Sequence, residues 1–330
     1  MNSKISLIIP IKGREEFTFR ILSYLDSIKY PFKIYISDGS HNKKENIKII
    51  KSFKSSLNIQ YLSFKYDKNY QCFLNKIYKT LKLIKSKYVM LLPNDDFINL
   101  NFLNKILKNK NETISGINID FKINNFMKYS NDFGKIKFYE KIKREYNQNL
   151  KKDDKFQRLK YINSFHPYES IHLHKILLKV LRYSLDFKVN NHKEFMWFFK
   201  LVPLYFSKIN FVNRPIIARQ ANTYLSEGNT LHYKENSSSK KRHEKFKSFI
   251  FLKIKNKKIH SLINEQNFEF IYEINIKRKL MIFLISIKSF LSLMISNLYI
   301  SRNKYDIKNY NKLFLNINKK FKIQQSINFK

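Results

Sequence analysis

This chain of 330 residues has little cysteine, glycine, proline, tryptophan or acid. One cysteine, Cys72, excludes an intramolecular disulfide framework and any cysteine-rich zinc module. Five glycines and six prolines exclude collagen-like and glycine-rich repeats. Neither G-x-G-x-x-G nor a Walker phosphate loop occurs, which speaks against enzymes that hold a nucleotide by a glycine-rich loop, such as a nucleotidyltransferase. His-Glu-x-x-His is also missing, so a zinc hydrolase has no support. Met1-Asn2-Ser3-Lys4-Ile5 runs straight into a strand-like segment, without the apolar stretch and small-residue cleavage site of a leader; a cytoplasmic setting is expected. The one segment near membrane-spanning length, Leu280 to Ile300, is broken by Ser286, Lys288, Ser289, Ser292, Ser296 and Asn297. A lysine in mid-span costs about 2.5–3.5 kcal/mol, so an amphipathic helix that closes a core or lies on a membrane surface is expected there.

Acidic residues number 25 against 64 Lys and Arg, a formal net charge of +39. Such a charge attracts nucleotide diphosphates and anionic lipid headgroups. Lysines are spread along the whole chain, with denser runs at Ser239–His243 and Lys253–Lys258. No aromatic interleaving or zinc-finger spacing accompanies them, so no specific nucleic-acid partner is expected. Hydrophobic residues make up 43% and aromatics 16%, enough to bury a core against the entropy of ordering.

The first half alternates two periods. Ile5-Ser6-Leu7-Ile8-Ile9, Lys33-Ile34-Tyr35-Ile36-Ser37, Asn58-Ile59-Gln60-Tyr61-Leu62 and Tyr88-Val89-Met90-Leu91-Leu92 read as buried strands, the first and last halted by Pro10 and Pro93. Between them, apolar residues recur at helical spacing: Phe17, Ile21, Leu22, Leu25 and Ile28; then Ile47, Ile50 and Phe53; then Phe73, Leu74, Ile77, Leu81 and Ile84. Strand–helix alternation predicts a mostly parallel α/β sheet covered by helices on both faces. Chemistry in such sheets lies beyond the carboxyl ends of the strands, where Lys12-Gly13-Arg14, Asp38-Gly39-Ser40 and Asn94-Asp95-Asp96 fall. Further on, Ile114–Ile119 reads as a fifth strand, Tyr168–Leu185 and His192–Phe199 as helices, Ile209–Ala218 as a strand, and the last ninety residues as helical and lysine-rich.

Asn94-Asp95-Asp96 is the most informative spot. Adjacent carboxylates after a buried strand repel and call for water, a cation or a cationic ligand. Mg²⁺ or Mn²⁺ held there would bridge a diphosphate and offset the charge of its departure. The same turn also suits an N-cap for the helix carrying Leu100, Leu103 and Leu107.

Ile5–Pro10, Ile36-Ser37-Asp38-Gly39-Ser40 and Tyr88–Phe97 together resemble the three landmarks of GT-A glycosyltransferases, family-2-like, and especially a bacterial subgroup with a run of aspartates after Leu-Pro. The resemblance covers about the first 120 residues. It implies a GT-A, Rossmann-like fold: residues 1–120 as the nucleotide-sugar half, 121–235 as the acceptor half, and 236–330 as a basic helical extension. It implies a nucleotide-sugar donor and a glycan or lipid-linked saccharide acceptor in surface polysaccharide synthesis. Pro10 and the loop with Lys12 and Arg14 would border the nucleotide, and Asp38 would bond its nucleoside. Asp96 would ligate Mg²⁺ or Mn²⁺ with Asp95 nearby, while Asn94 stands where the pattern has an aspartate. Inverting transfer needs a base for the acceptor hydroxyl, for which Glu194 is the first choice, with Glu169 and Asp186 behind it. Trp197 could stack on a sugar or fill a core, and Arg214 and Arg219 could pair with the diphosphate. His166, His172 and His174 form no metal pattern, His232 could supply a metal ligand from the loop after Arg219 or be an ordinary loop histidine, and Cys72 has no histidine neighbour to activate it. A basic nucleic-acid-binding protein, and a transferase fold kept only as a scaffold, are the rival readings. The basic tail suits a peripheral site on an anionic membrane face.

Overall fold

The computed structural model describes residues 4–101, 103, 111–123, 136–139, 154–160, 162, 165, 167–220, 239–265 and 308–326. Strands Ile5–Ile11 (β1), Lys33–Asp38 (β2), Ile59–Ser63 (β3) and Tyr88–Leu91 (β4) alternate with helices Glu15–Ser27 (α1), Lys44–Phe53 (α2) and Tyr70–Leu83 (α3). The four strands lie parallel in the order β3-β2-β1-β4. Their unbroken apolar runs follow from burial on both faces. Leu7 and Ile9 point into one core with Ile21 and Leu22 of α1 and Ile49 and Ile50 of α2, and Ile8 points into the other with Leu74 and Ile77 of α3. β1 continues through Pro10, which the sequence reading took as its stop. The register with β4 ends at Ile8, so at Pro10 only β2 remains alongside and a missing N–H is tolerated.

The sheet continues with Phe97–Ile98 (β5), Glu112–Ile123 (β6), Ile136–Tyr139 (β7), Ser170–Leu173 (β8) and Lys208–Gln220 (β9). Helices Lys155–Lys160 (α4), His174–Phe187 (α5) and His192–Phe206 (α6) accompany these strands. β8 runs antiparallel between β4 and β6, β9 lies parallel to β6, and β5 and β7 pair antiparallel with β9 and β6. The helix expected over Tyr168–Leu185 is therefore three elements, the 3-10 turn Pro167–Glu169, then β8, then α5. All four residues of Ser170–Leu173 are buried, and β4 and β6 take up their backbone bonds from either side, an environment that overrides local helix propensity.

Three more helices are described: Ser239–Lys253 (α7), Lys257–Glu265 (α8) and Lys308–Ser326 (α9). α9 sends Tyr310, Leu313, Phe314, Ile317 and Phe321 into the core on the α1–α2 face, where Phe314 meets Tyr24 edge-on at 5.4 Å. α7 and α8 send Phe246, Ile250, Ile259 and Ile263 into the opposite core, beside Phe187 and Phe198. Among the described residues no helix is long and apolar enough to cross a membrane. The segment Leu280–Ile300 and most of the expected Leu100–Leu107 helix lie outside the described residues.

Candidate functional site

Loops leaving the carboxyl ends of β1, β2 and β4 meet at one edge of the sheet. The Gly13 N–H donates to Ser40 Oγ at 2.6 Å, and the next residue, Arg14, brings Nη2 to 3.1 Å from Asp95 Oδ2. Two consecutive residues thus tie the turn after β2 to the turn after β4. Pro10 and Lys12 are half-buried on the same stretch, with the Lys12 ammonium 5.1 Å above the Tyr66 ring.

Asp38 closes the turn after β2 and is fully buried. Its Oδ1 accepts the Ser40 N–H at 2.7 Å, and Oδ2 accepts the Tyr61 hydroxyl at 2.9 Å and the Asn46 amide at 3.5 Å. Asn46 also donates to Ser40 Oγ at 3.2 Å. Burial, and then the Asp38 charge, push the Tyr61 phenol well above its ordinary pKa. Asp38 was expected to bond a nucleoside. In this structure Oδ1 is engaged by its own turn and Oδ2 by Tyr61 of β3 and Asn46 of α2, so Asp38 braces the edge from beneath.

Under Gly39 lies a buried ion pair between Asp67 and Lys76, whose ammonium also donates to the Ile11 carbonyl at 2.9 Å. A Cβ on residue 39 would fall on the Asp67 carboxyl. Burial raises the Asp67 pKa despite the lysine, and Asp67 Oδ1 is buried with no partner among the described residues.

Asn94, Asp95 and Asp96, in the turn after β4, are all buried. Asn94 Nδ2 donates to Thr18 Oγ1 at 3.5 Å, and Asp96 Oδ1 accepts the Gln220 N–H at 3.1 Å. Beneath them Arg20 is only 1% exposed; Nη2 donates to the Asp95 carbonyl at 2.9 Å and Nη1 to Gln220 Oε1 at 2.8 Å. Its guanidinium packs 4.6 Å from the Phe17 ring and 5.1 Å from the Phe97 ring. Burial lowers its pKa to about 10, so it stays charged at neutral pH.

The expected metal fits this set poorly. Two carboxylates, Asp95 and Asp96, face two guanidinium groups, Arg14 and Arg20, and the charges sum to zero. An ion on Asp95 Oδ2 would stand no more than about 5 Å from the Arg14 nitrogen, a repulsion of several kcal/mol at an effective dielectric of about 20. Among the described residues no group of three or more His, Cys, Asp or Glu side chains could hold a metal ion.

Glu194 sits elsewhere, in the first turn of α6. It is 1% exposed; Oε1 accepts Arg242 Nε at 2.5 Å, while Oε2 accepts Arg242 Nη2 at 2.8 Å and the Asn190 N–H at 2.9 Å. A general base needs an oxygen aimed at its proton, and this carboxylate is spent on a guanidinium. The base expected from the sequence is, in this geometry, the anchor of α7. Asp186 pairs with Lys253 at 3.1 Å, and Trp197 is half-buried with the Lys200 ammonium 5.3 Å from its ring. His172 Nε2 and His174 Nε2 donate to the Pro167 and Leu81 carbonyls. Arg219 forks onto Asp120 at 3.0 and 2.9 Å across the β6–β9 pair, Arg214 is exposed, and Cys72 is a half-buried free thiol. His166, His232 and the Glu169 side chain lie outside the described residues.

The sequence reading missed Arg20, Asn46, Tyr61, Asp67, Lys76 and Gln220. For two of them a signal existed. Arg20 follows Phe17 by three residues and Lys76 follows Phe73 by three, so each puts a charge on the apolar stripe of its helix, where a buried partner is required.

No family model matches the chain, and no curated protein matches it in sequence. Solved structures do. Residues 1–349 of TarS from S. aureus, in complex with UDP-GlcNAc, superpose with a TM-score of 0.51 at 13% identity, covering 80% of this chain and 71% of that one. The same protein in complex with UDP gives 0.43 at 11%, covering 80% and 76%. GalNAc-T7 with UDP, GalNAc and Mn²⁺ gives 0.44 at 11%, covering 74% and 48%. The first likeness, with the sheet order described above, shows that the chain has the GT-A fold with a helical C-terminal region.

Proposed function

We propose that a chain with this fold and this sheet edge is a glycosyltransferase, which takes a sugar from a nucleotide-sugar donor and passes it, with inversion, to a hydroxyl of a glycan or lipid-linked saccharide. One observation supports this most: Gly13 and Arg14 join the Asp38–Ser40 turn to the Asn94–Asp96 turn, so three strand ends form one polar edge. In a parallel α/β sheet that edge is where ligands bind. Lys12 and Arg14 bring positive charge to it, as a diphosphate requires. The resemblance of the first 120 residues to family-2-like enzymes points the same way.

Transfer would leave the nucleoside diphosphate behind, its charge met by cationic side chains fixed in advance. Arg20, packed between two rings, fixes the backbone of the acidic turn, and Asp38 fixes the turn beside it. Synthesis of a surface polysaccharide is the setting we infer. The basic helices α7 and α8 would then rest on an anionic membrane face, where lipid-linked acceptors lie.

The test is a donor screen beginning with UDP-GlcNAc, the nucleotide-sugar in the TarS complex. Nucleoside diphosphate release is followed with and without saccharide acceptors. Cleavage of one donor, faster with acceptor and lost in Arg20→Leu, is the expected result. Neither cleavage nor binding of any nucleotide-sugar would sink the reading.

A further inference from the structure

Arg14 occupies the centre of the polar edge in an unusual state. Its backbone is left-handed, with φ 60° and ψ 48°, immediately before the first turn of α1. That conformation costs roughly 1–2 kcal/mol for a residue with a side chain, so packing must hold it. The guanidinium lies 4.3 Å from the Phe17 ring, and 14% of the side chain stays exposed. Nη2 stands 3.1 Å from Asp95 Oδ2, yet neither Nε nor Nη2 has a hydrogen-bond acceptor among the described residues, although both atoms are buried. Buried donors without acceptors are costly and rare. A flat fork of donors in this state matches a phosphate, which takes two parallel N–H bonds from one guanidinium.

The acidic turn next to it is already answered by the chain. Asp95 has Arg14 at its carboxylate and Arg20 at its carbonyl, Asp96 has the Gln220 N–H, and Asn94 is neutral. A divalent ion would meet the Arg14 charge beside Asp95, whereas a diphosphate would bring the acceptors that Arg14 Nε and Nη2 lack.

We propose that Arg14 takes the place of the divalent metal: its guanidinium grips the donor diphosphate directly, Arg20 holds the acidic turn behind it, and donor binding needs no metal ion. The proposal rests on the nucleotide-sugar reading above and narrows how that donor is held.

Isothermal titration of the full chain with UDP, ADP, GDP, CDP and dTDP, each in EDTA and again in MnCl₂, tests it. One diphosphate should bind with affinities within about twofold in the two buffers. Arg14→Gln should weaken that binding by at least about tenfold in EDTA. Arg14→Lys, which keeps the charge and loses the fork, should recover only part of it. Melting curves of both variants establish that they fold, and if Arg14→Gln does not, the Arg14→Lys comparison decides. Binding that appears only with Mn²⁺ would overturn the proposal and leave the donor reading standing. So would wild-type affinity in the folded Arg14 variants. No binding of any diphosphate in either buffer would overturn both.

Discussion

Arg242 closes on Glu194 with two hydrogen bonds, Nε to Oε1 at 2.5 Å and Nη2 to Oε2 at 2.8 Å, and through them α7 is fastened to the first turn of α6. Arg242 also reaches the Lys188 carbonyl at 2.8 Å and covers the Phe187 ring at 4.4 Å. The pair is almost dry, with side chains 12% and 1% exposed. Removing one member of a buried pair leaves an uncompensated charge and costs about 3–5 kcal/mol. Glu194→Gln and Arg242→Met should each lose most of that in denaturant unfolding. The double variant should lose less than the two losses added together. A Glu194→Gln protein of wild-type stability with abolished transfer would restore the base assignment.

Glycines 39 and 13 should respond differently to alanine. At Gly39 a Cβ meets the Asp67 carboxyl, so overpacking should cost about 2–3 kcal/mol and shift the Asp67–Lys76 pair. At Gly13 nothing lies within 4 Å, but φ is +65°, and only backbone strain of roughly 1–2 kcal/mol is expected. Equilibrium unfolding of the two variants, with a structure of the first, checks the contrast.

His172 gives a defined acid response. Burial lowers its pKa from 6.5 to about 4, and the ring lies 4.9 Å from Phe199. Between those values the unfolded chain binds a proton that the folded chain refuses, so stability falls as pH drops from 6.5 towards 4. The loss should reach about 3 kcal/mol. Unfolding free energies across that window, compared with His172→Phe, check it; the variant should show a shallower slope.

Tyr61→Phe should destabilise the chain by about 1–3 kcal/mol, because the fully buried Asp38 then lacks one of its donors. Asp38→Asn should act in the same range and lower the Tyr61 pKa by removing a negative neighbour. Chemical denaturation measures the first effect, and ultraviolet titration against a Tyr61→Phe background isolates the second.

The periodicity of the sequence determined the four-stranded parallel core and its three helices. In that stretch each apolar residue reports only on the face of its own element, which is local information. It also placed three polar turns at one edge, since strand direction settles which ends come together. Local pattern did not carry Ser170–Leu173, whose backbone becomes a strand through bonds to β4 and β6.

The chemistry of the edge was decided by the tertiary structure. Arg20 reaches Gln220 across 200 residues of chain, Arg14 meets an acid from another loop, and Glu194 meets a guanidinium 48 residues away. Which residue types can serve a reaction is written in the sequence. Which of their oxygens and nitrogens remain unspent depends on long-range partners, because burial makes an unmet polar atom costly, and only the folded chain decides which are met.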